Sequence, residues 1–125
     1  VQNVLSCLDA ENRYLTTPSS VDFYPMQGSI EDHASNLPLA VTKCRQMVDN
    51  LRYLVGMEAL FASQAVDLRK SDDNGDYIHL GKGTQKAYDV LRAVVPEMKS
   101  NRSVYDDINK AYQLVLEEKF LADGE

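Results

Sequence analysis

The pattern of apolar and polar residues is helical along most of the chain. Apolar positions recur every three or four residues in four stretches, and no stretch shows a convincing strand pattern. The spacing predicts helices over residues 1–15, 37–69, 84–95 and 103–120. The loop after the first helix has about 16 residues, a length that is usually functional in a compact domain. The predicted fold is therefore all-α, with shorter helices packed on one long central helix after a long loop.

The long helix has apolar residues on more than one side, which predicts burial on more than one side. At about 1.5 Å per residue it spans roughly 50 Å, more than the ~35 Å diameter of a compact domain of this length. We therefore expect other subunits, or a part of the protein outside this chain, to complete the bundle. One apolar stripe consists of Leu37, Val41, Cys44, Val48, Leu51 and Val55, and the other consists of Met47, Leu54, Met57, Phe61, Ala65 and Leu68.

Composition narrows the class of protein. The chain has 125 residues, a net charge of −6 and a pI near 4.8, which indicates one acidic domain. Nucleic acid and anionic membranes are poor partners for such a surface, and no apolar run is long enough to span a bilayer. The two cysteines, Cys7 and Cys44, are far apart in the sequence, which is typical of reduced thiols in a cytoplasmic protein.

The sequence GSIEDHASN, Gly28 to Asn36, contains the candidate chemistry just before the long helix. Glu31, Asp32 and His33 are suitable metal donors, but consecutive side chains do not point one way, and no further His or Cys cluster supports them. We therefore predict no metal site. Glu31 remains open to two interpretations: an acid–base group at a loop–helix junction, or a carboxylate that complements the helix N-terminus.

The stretch AENRYLTTPSSVDFYPMQGSIEDHASNLPLA resembles histidine ammonia-lyases, in the aromatic amino acid lyase family. The end of the chain also resembles the family's C-terminal pattern R-x-x-V-P…D-R…D-I. Together these motifs extend over nearly the whole chain. The matching motifs are Glu11-Asn12, Pro18-Ser19-Ser20, the Glu31-Asp32-His33-x-Ser35 segment, and Val66-Asp67-Leu68-Arg69 at the end of the long helix.

The resemblance implies a larger enzyme than this chain. The family's electrophile, methylidene-imidazolone, forms from an internal Ala-Ser-Gly, and no Ala-Ser-Gly occurs here. Residues 1–125 would then be a single helical C-terminal domain that is inactive without the N-terminal portion of the same enzyme. The resemblance also implies a homotetramer with a central bundle of long helices, active sites formed by several subunits, and a small amino acid as substrate.

The resemblance places the family's substrate-side glutamate at Glu31, with Asp32 and His33 ordering the loop. A carboxylate pairs with an imidazole but is desolvated at a cost beside a phenyl ring, which favours L-histidine as substrate and trans-urocanate as product. Ile30 departs from the family's usual Gln or Asn, so a polar contact is lost. The alternatives are another aromatic amino acid lyase, an aminomutase, or a non-catalytic helical oligomerisation module.

Overall fold

The computed structural model describes residues 1–21, 27–30, 36–70 and 79–121 and confirms the all-α prediction. Two short 3-10 turns, Ser19–Val21 and Gln27–Ser29, follow the first helix, and no strand occurs among the described residues. The four helices are α1 (Gln2–Leu15), α2 (Leu37–Lys70), α3 (Lys82–Val94) and α4 (Tyr105–Leu116). The predicted and observed bounds agree closely for α1, α2 and α3.

The last helix is shorter at both ends than its pattern predicts. The predicted helix begins at residue 103, but Val104 is the N-cap, and the Ser103 hydroxyl accepts a hydrogen bond from the Tyr105 N–H. At the other end, Glu118 adopts a left-handed φ of 56°. The Glu118 N–H then bonds to Val115 O and the Lys119 N–H to Leu114 O, which is a Schellman motif. Glycine usually marks this motif, so the sequence did not indicate where α4 ends.

The chain divides into two compact units, with the division inside α2. The N-terminal unit (Gln2–Leu51) joins α1 to the first half of α2 through a polar clamp. Asn50 is 3% exposed, and its amide donates hydrogen bonds to Glu11 Oε2 at 3.1 Å and to Asn12 Oδ1 at 3.0 Å. Gln46 Nε2 donates to Asn50 Oδ1 at 3.2 Å. The Glu-Asn pair of the sequence motif therefore holds α1 against α2.

The C-terminal unit (Arg52–Glu125, together with Val1) packs the second half of α2 with α3 and α4. Leu91, Val95 and Ala111 form its buried centre. Gly56 is the point of closest approach between α2 and α4: a Cβ added there would lie 3.1 Å from the backbone of Ala111. Close approach also lets the rings of Tyr53 and Tyr112 stack, with centroids 4.1 Å apart.

One apolar face of α2 is left exposed by the residues that the structure describes. All six members of the first predicted stripe are exposed, including Cys44, which the pattern predicted to be packed. Leu37 is 61% exposed and Leu51 is 50% exposed. We call this face the outer stripe: Leu37, Val41, Cys44, Val48, Leu51 and Val55. The second predicted stripe is covered only in part: Met57 is fully buried, whereas Phe61 is 51% and Leu68 60% exposed.

Substitution of Gly56 tests the close packing of α2 on α4. Alanine favours a helix over glycine by up to about 1 kcal/mol, so Gly83→Ala, where a new Cβ meets nothing within 4 Å, should stabilise the protein. Gly56→Ala should instead lower the free energy of unfolding by about 1 kcal/mol, because its Cβ presses on α4 backbone. Urea unfolding measures both, and equal stabilisation by the two variants would contradict the close approach.

Substitution of Asn50 tests the polar clamp. Asn50→Asp removes both donors and places a buried carboxylate opposite the Glu11 carboxylate, which should cost about 3 kcal/mol of unfolding free energy. Asn3→Asp makes the same chemical change at an exposed position of α1 and should be close to neutral. Equal unfolding midpoints for the two variants would show that the clamp does not stabilise the unit.

Candidate functional site

Glu31, Asp32 and His33 lie outside the described residues, which end at Ile30 and resume at Asn36. The structure therefore does not test the roles predicted for these three residues. It does describe the residues before and after this segment, Gln27 to Ile30 and Asn36 onward.

Residues with left-handed backbone lie before and after the predicted substrate segment, the stretch that contains Glu31, Asp32 and His33. Gln27 has a φ of 47° and Gly28 a φ of 63° before it, and Asn36 has a φ of 50° after it. Of the described residues outside glycine with positive φ, only Glu118 lies elsewhere in the chain. Such conformations cost on the order of 1 kcal/mol or more for a non-glycine residue and concentrate at functional sites. Two of the three described non-glycine residues with positive φ therefore lie within a few residues of the Glu31-Asp32-His33 sequence.

The start of α2 is tied to the stretch that follows α1. Asn36 Nδ2 donates to the Ser19 carbonyl at 3.0 Å. The Lys43 ammonium, one and a half turns into α2, donates to the Thr17 carbonyl. With the Asn50 clamp, these bonds fix the first half of α2 against residues 11–19. The Pro18-Ser19-Ser20 motif therefore contributes backbone acceptors that hold the helix start.

In the C-terminal unit, the Val66–Arg69 motif contributes a buried ion pair. Asp67 is 8% exposed and accepts from Arg92 Nε at 2.9 Å, from Arg92 Nη2 and from the Tyr88 hydroxyl. Arg92 Nη1 also donates to the Val95 carbonyl at 3.2 Å. Lys70 Nζ lies 4.1 Å from the centre of the Tyr88 ring, a cation–π contact. These contacts join α2 to α3 within the C-terminal unit.

The C-terminal unit also has a cavity of about 320 Å³ beside the second half of α2. Its lining is mainly apolar and includes Leu60, Phe61 and Val95. The Arg102 guanidinium at its edge is occupied by Asp107 and by the Pro96 carbonyl at 3.0 Å. In the described part of the chain, every buried side-chain nitrogen or oxygen has a hydrogen-bond partner. The polar residues in its lining include Gln64 and Asn101, and its Arg92 and Asp107 take part in ion pairs within the chain.

Two further features are absent from the described residues: a cluster of metal-binding side chains and a helix that could span a membrane. Within them, no three His, Cys, Asp or Glu side chains lie close enough together to hold a metal ion. Nor does any helix there combine the length and the apolar character that a bilayer span requires.

Comparison with known proteins identifies the sequence motifs. The family model for aromatic amino acid lyases matches residues 1–93. Histidine ammonia-lyase 1 of Fusobacterium nucleatum is 34% identical over the whole of this chain, and histidine ammonia-lyase of Alkaliphilus metalliredigens is 35% identical over 99% of it. The chain spans about 23% of the length of each of these relatives.

Two solved structures are similar to the fold. The ergothioneine-degrading enzyme ergothionase of Treponema denticola, in complex with desmethyl-ergothioneine sulfonic acid, is 47% identical over 93% of this chain, with a TM-score of 0.81. Histidine ammonia-lyase of Trypanosoma cruzi has a TM-score of 0.80 over 92% of the chain at 23% identity, which supports the fold alone. This chain covers 22% of each of those two.

The sequence comparisons and the contacts made by the sequence motifs support the same family. The family model matches residues 1–93, and two curated histidine ammonia-lyases are 34% and 35% identical over at least 99% of the chain. The Glu-Asn and Val66–Arg69 motifs make the contacts that hold α1 and α3 to α2. The chain belongs to the aromatic amino acid lyase family.

Proposed function

We propose that the complete protein carrying this chain is a carbon–nitrogen lyase that acts on an imidazole-bearing substrate. L-Histidine is the first candidate: the Cα–N bond breaks, a Cβ proton leaves, and ammonium and trans-urocanate result. The observation that supports this proposal is the similarity of nearly the whole chain to curated histidine ammonia-lyases. The carboxylate of Glu31, a suitable partner for an imidazole nitrogen, agrees with it.

The electrophile of this chemistry has no precursor in the chain. Methylidene-imidazolone would form from an Ala-Ser-Gly, and the 125 residues contain none. When bound, that group activates the substrate for loss of its amine. It would therefore come from another part of the protein, and residues 1–125 alone would be inactive.

The residues of this chain would bind and orient the substrate. We assign Glu31 to the substrate's ring nitrogen, and Asp32 and His33 to ordering of the loop. The bonds from Asn36 to Ser19 and from Lys43 to Thr17 fix the helix that follows the loop. A fixed helix start is one condition for the productive substrate contact that we assign to Glu31.

A second candidate substrate is ergothioneine, the trimethylammonium betaine of a histidine whose ring bears sulfur. The observation that favours it is the 47% identity to ergothionase over 93% of the chain, against 34% and 35% for the two histidine ammonia-lyases above. Elimination would break the Cα–N bond, release trimethylamine and a Cβ proton, and leave an unsaturated thio-imidazole acid. Both candidate reactions break the Cα–N bond of an amino acid derivative whose side chain ends in an imidazole ring.

We also propose that the protein is a homotetramer whose subunits cover the outer stripe. The stripe is too apolar for a water-exposed surface: Leu37, Val48 and Leu51 are all more than 40% exposed in the single chain. A cytoplasmic location fits the free thiols of Cys7 and Cys44.

Glu31→Gln tests the substrate-side role. The change keeps the shape of the side chain but removes its charge, so kcat/KM on the imidazole substrate should fall at least about 100-fold. The unfolding free energy should change by no more than about 1 kcal/mol, the scale of a helix-dipole contact. Glu58→Gln, at an exposed position of α2, is the matched control and should keep full activity.

Near-normal activity with a loss of stability would make Glu31 a helix-start residue only. A wild-type protein with no lyase activity on either imidazole substrate would instead favour the non-catalytic oligomerisation module. Release of an amine from phenylalanine or tyrosine alone would point to another aromatic amino acid lyase, and formation of a β-amino acid to an aminomutase.

Leu51→Lys tests the assembly. A charge in the middle of the outer stripe must be buried in the tetramer, so the sedimenting mass at micromolar concentration should fall below that of the wild type. Gln113→Lys introduces the same charge at an exposed position of α4 and should leave the mass unchanged. Tetramers of normal stability for Leu51→Lys would show that the outer stripe is not a subunit interface.

A further inference from the structure

The cavity beside the second half of α2 has the size of a small-molecule site. Its volume of about 320 Å³ is about twice the ~150 Å³ of an engineered protein cavity that binds benzene. Its walls come from α2, from the end of α3, from residues 96–102 and from the start of α4. The volume lies at the lower end of the range of ligand pockets, so the cavity suits a compact molecule.

Polar contacts hold the walls of this cavity in place. Gln64 Nε2 donates to the Met98 carbonyl at 3.3 Å, and Gln64 Oε1 accepts from the Met98 N–H at 2.9 Å. On the other side, Arg102 Nη2 donates to the Pro96 carbonyl at 3.0 Å, and Nη1 donates to Asp107. Closure of the cavity would break these hydrogen bonds, so the space is preformed.

One carboxylate oxygen at the cavity accepts no hydrogen bond from the described residues. Asp107 lines the cavity and is 5% exposed. Its Oδ2 accepts from Arg102, whereas Oδ1 has no donor in the part of the chain that the structure describes. Because every fully buried side-chain oxygen in that part has a partner, Oδ1 keeps some accessible surface. The cavity thus offers an acceptor that the donor of a bound molecule can satisfy.

The other lining residues favour a neutral aromatic body for that donor. Phe61 and the Met98 thioether make favourable contacts with aromatic rings. Arg92 and Arg102 also line the cavity, and a guanidinium attracts the face of a ring but repels a second cation. An anion would meet the Asp107 carboxylate. A neutral aromatic ring therefore suits this lining better than a charged molecule.

We propose that this cavity binds a small neutral aromatic molecule that carries one ring N–H or O–H donor, with indole as the simplest example. The donor bonds to Asp107 Oδ1, and the ring packs against Phe61 and Met98. This inference goes beyond the proposed lyase and does not rest on it.

A ligand series tests the hydrogen bond. Indole titrated into the complete protein should bind with a Kd below about 1 mM, measured by calorimetry. Skatole, which adds a methyl group on a ring carbon and keeps the N–H, should bind about as tightly. N-Methylindole has the same added methyl group but no donor, so it should bind at least about tenfold more weakly. Equal affinities for the two methylindoles would overturn the proposed contact with Asp107.

A cavity-filling variant tests the location. Val104 lines the cavity, so Val104→Phe should weaken indole binding at least about tenfold, because its ring occupies the same space. Val94→Phe makes the same enlargement at a residue of α3 that is 40% exposed, and it should keep the wild-type affinity. The methyl NMR signal of Met98, assigned by its loss in Met98→Leu, should shift when indole binds, because an aromatic ring changes the local magnetic field.

Three results would overturn the site: indole binding to a folded Val104→Phe at the wild-type affinity, an unchanged Met98 signal at saturation, or no binding of indole because another part of the complete protein fills the cavity. The methylindole comparison uses the wild-type protein, so it decides the proposal even where Val104→Phe does not fold. Turnover of the imidazole substrates is measured separately, so failure of this site and failure of the proposed lyase are distinguishable.

Discussion

The structure depends on one long helix whose apolar surface is covered only in part by the described residues. α2 runs for 34 residues, and both units of the chain are built on it. Its first half is held by the polar contacts of Asn50 and Lys43, and its second half by the packing of Gly56 on α4 and by the ion pair of Asp67. The outer stripe remains exposed among the described residues, as do Phe61 and Leu68 farther along α2. Because exposed apolar area of this kind is unfavourable in water, α2 also determines what the rest of the protein must supply.

The contacts on α2 explain why the family motifs are where they are. Glu11 and Asn12 accept from the buried Asn50 amide, the Ser19 carbonyl accepts from Asn36, and Asp67 accepts from Arg92 and Tyr88. These residues carry polar groups that would be costly to bury alone and that satisfy one another. Their role within this chain is structural, and it fixes the helix whose start borders the predicted substrate segment.

The sequence predicted the helices because apolar spacing is a local property. It predicted α2 from Leu37 almost to its last residue, and it predicted two apolar faces that one chain cannot cover. It missed the end of α4, since Glu118 takes the left-handed position that glycine usually marks. It also missed the Asn50 clamp, although the sequence contained a signal. Asn50 lies three residues after Met47 and four before Leu54, so it places a polar side chain within the second predicted apolar stripe. The close approach at Gly56 had a signal too, as α2 contains no other glycine.

The central claim is that the outer stripe becomes buried when the complete protein assembles. Cys44 is a natural reporter of it, because its thiol is exposed in the single chain and lies within the stripe. The most direct measurement is the rate at which a maleimide labels Cys44 in the native complete protein, relative to the urea-unfolded protein, with the site assigned by peptide mapping. We expect assembly to slow labelling at least about 100-fold, since only a minor open population would react. Labelling of native Cys44 at the unfolded rate would contradict it.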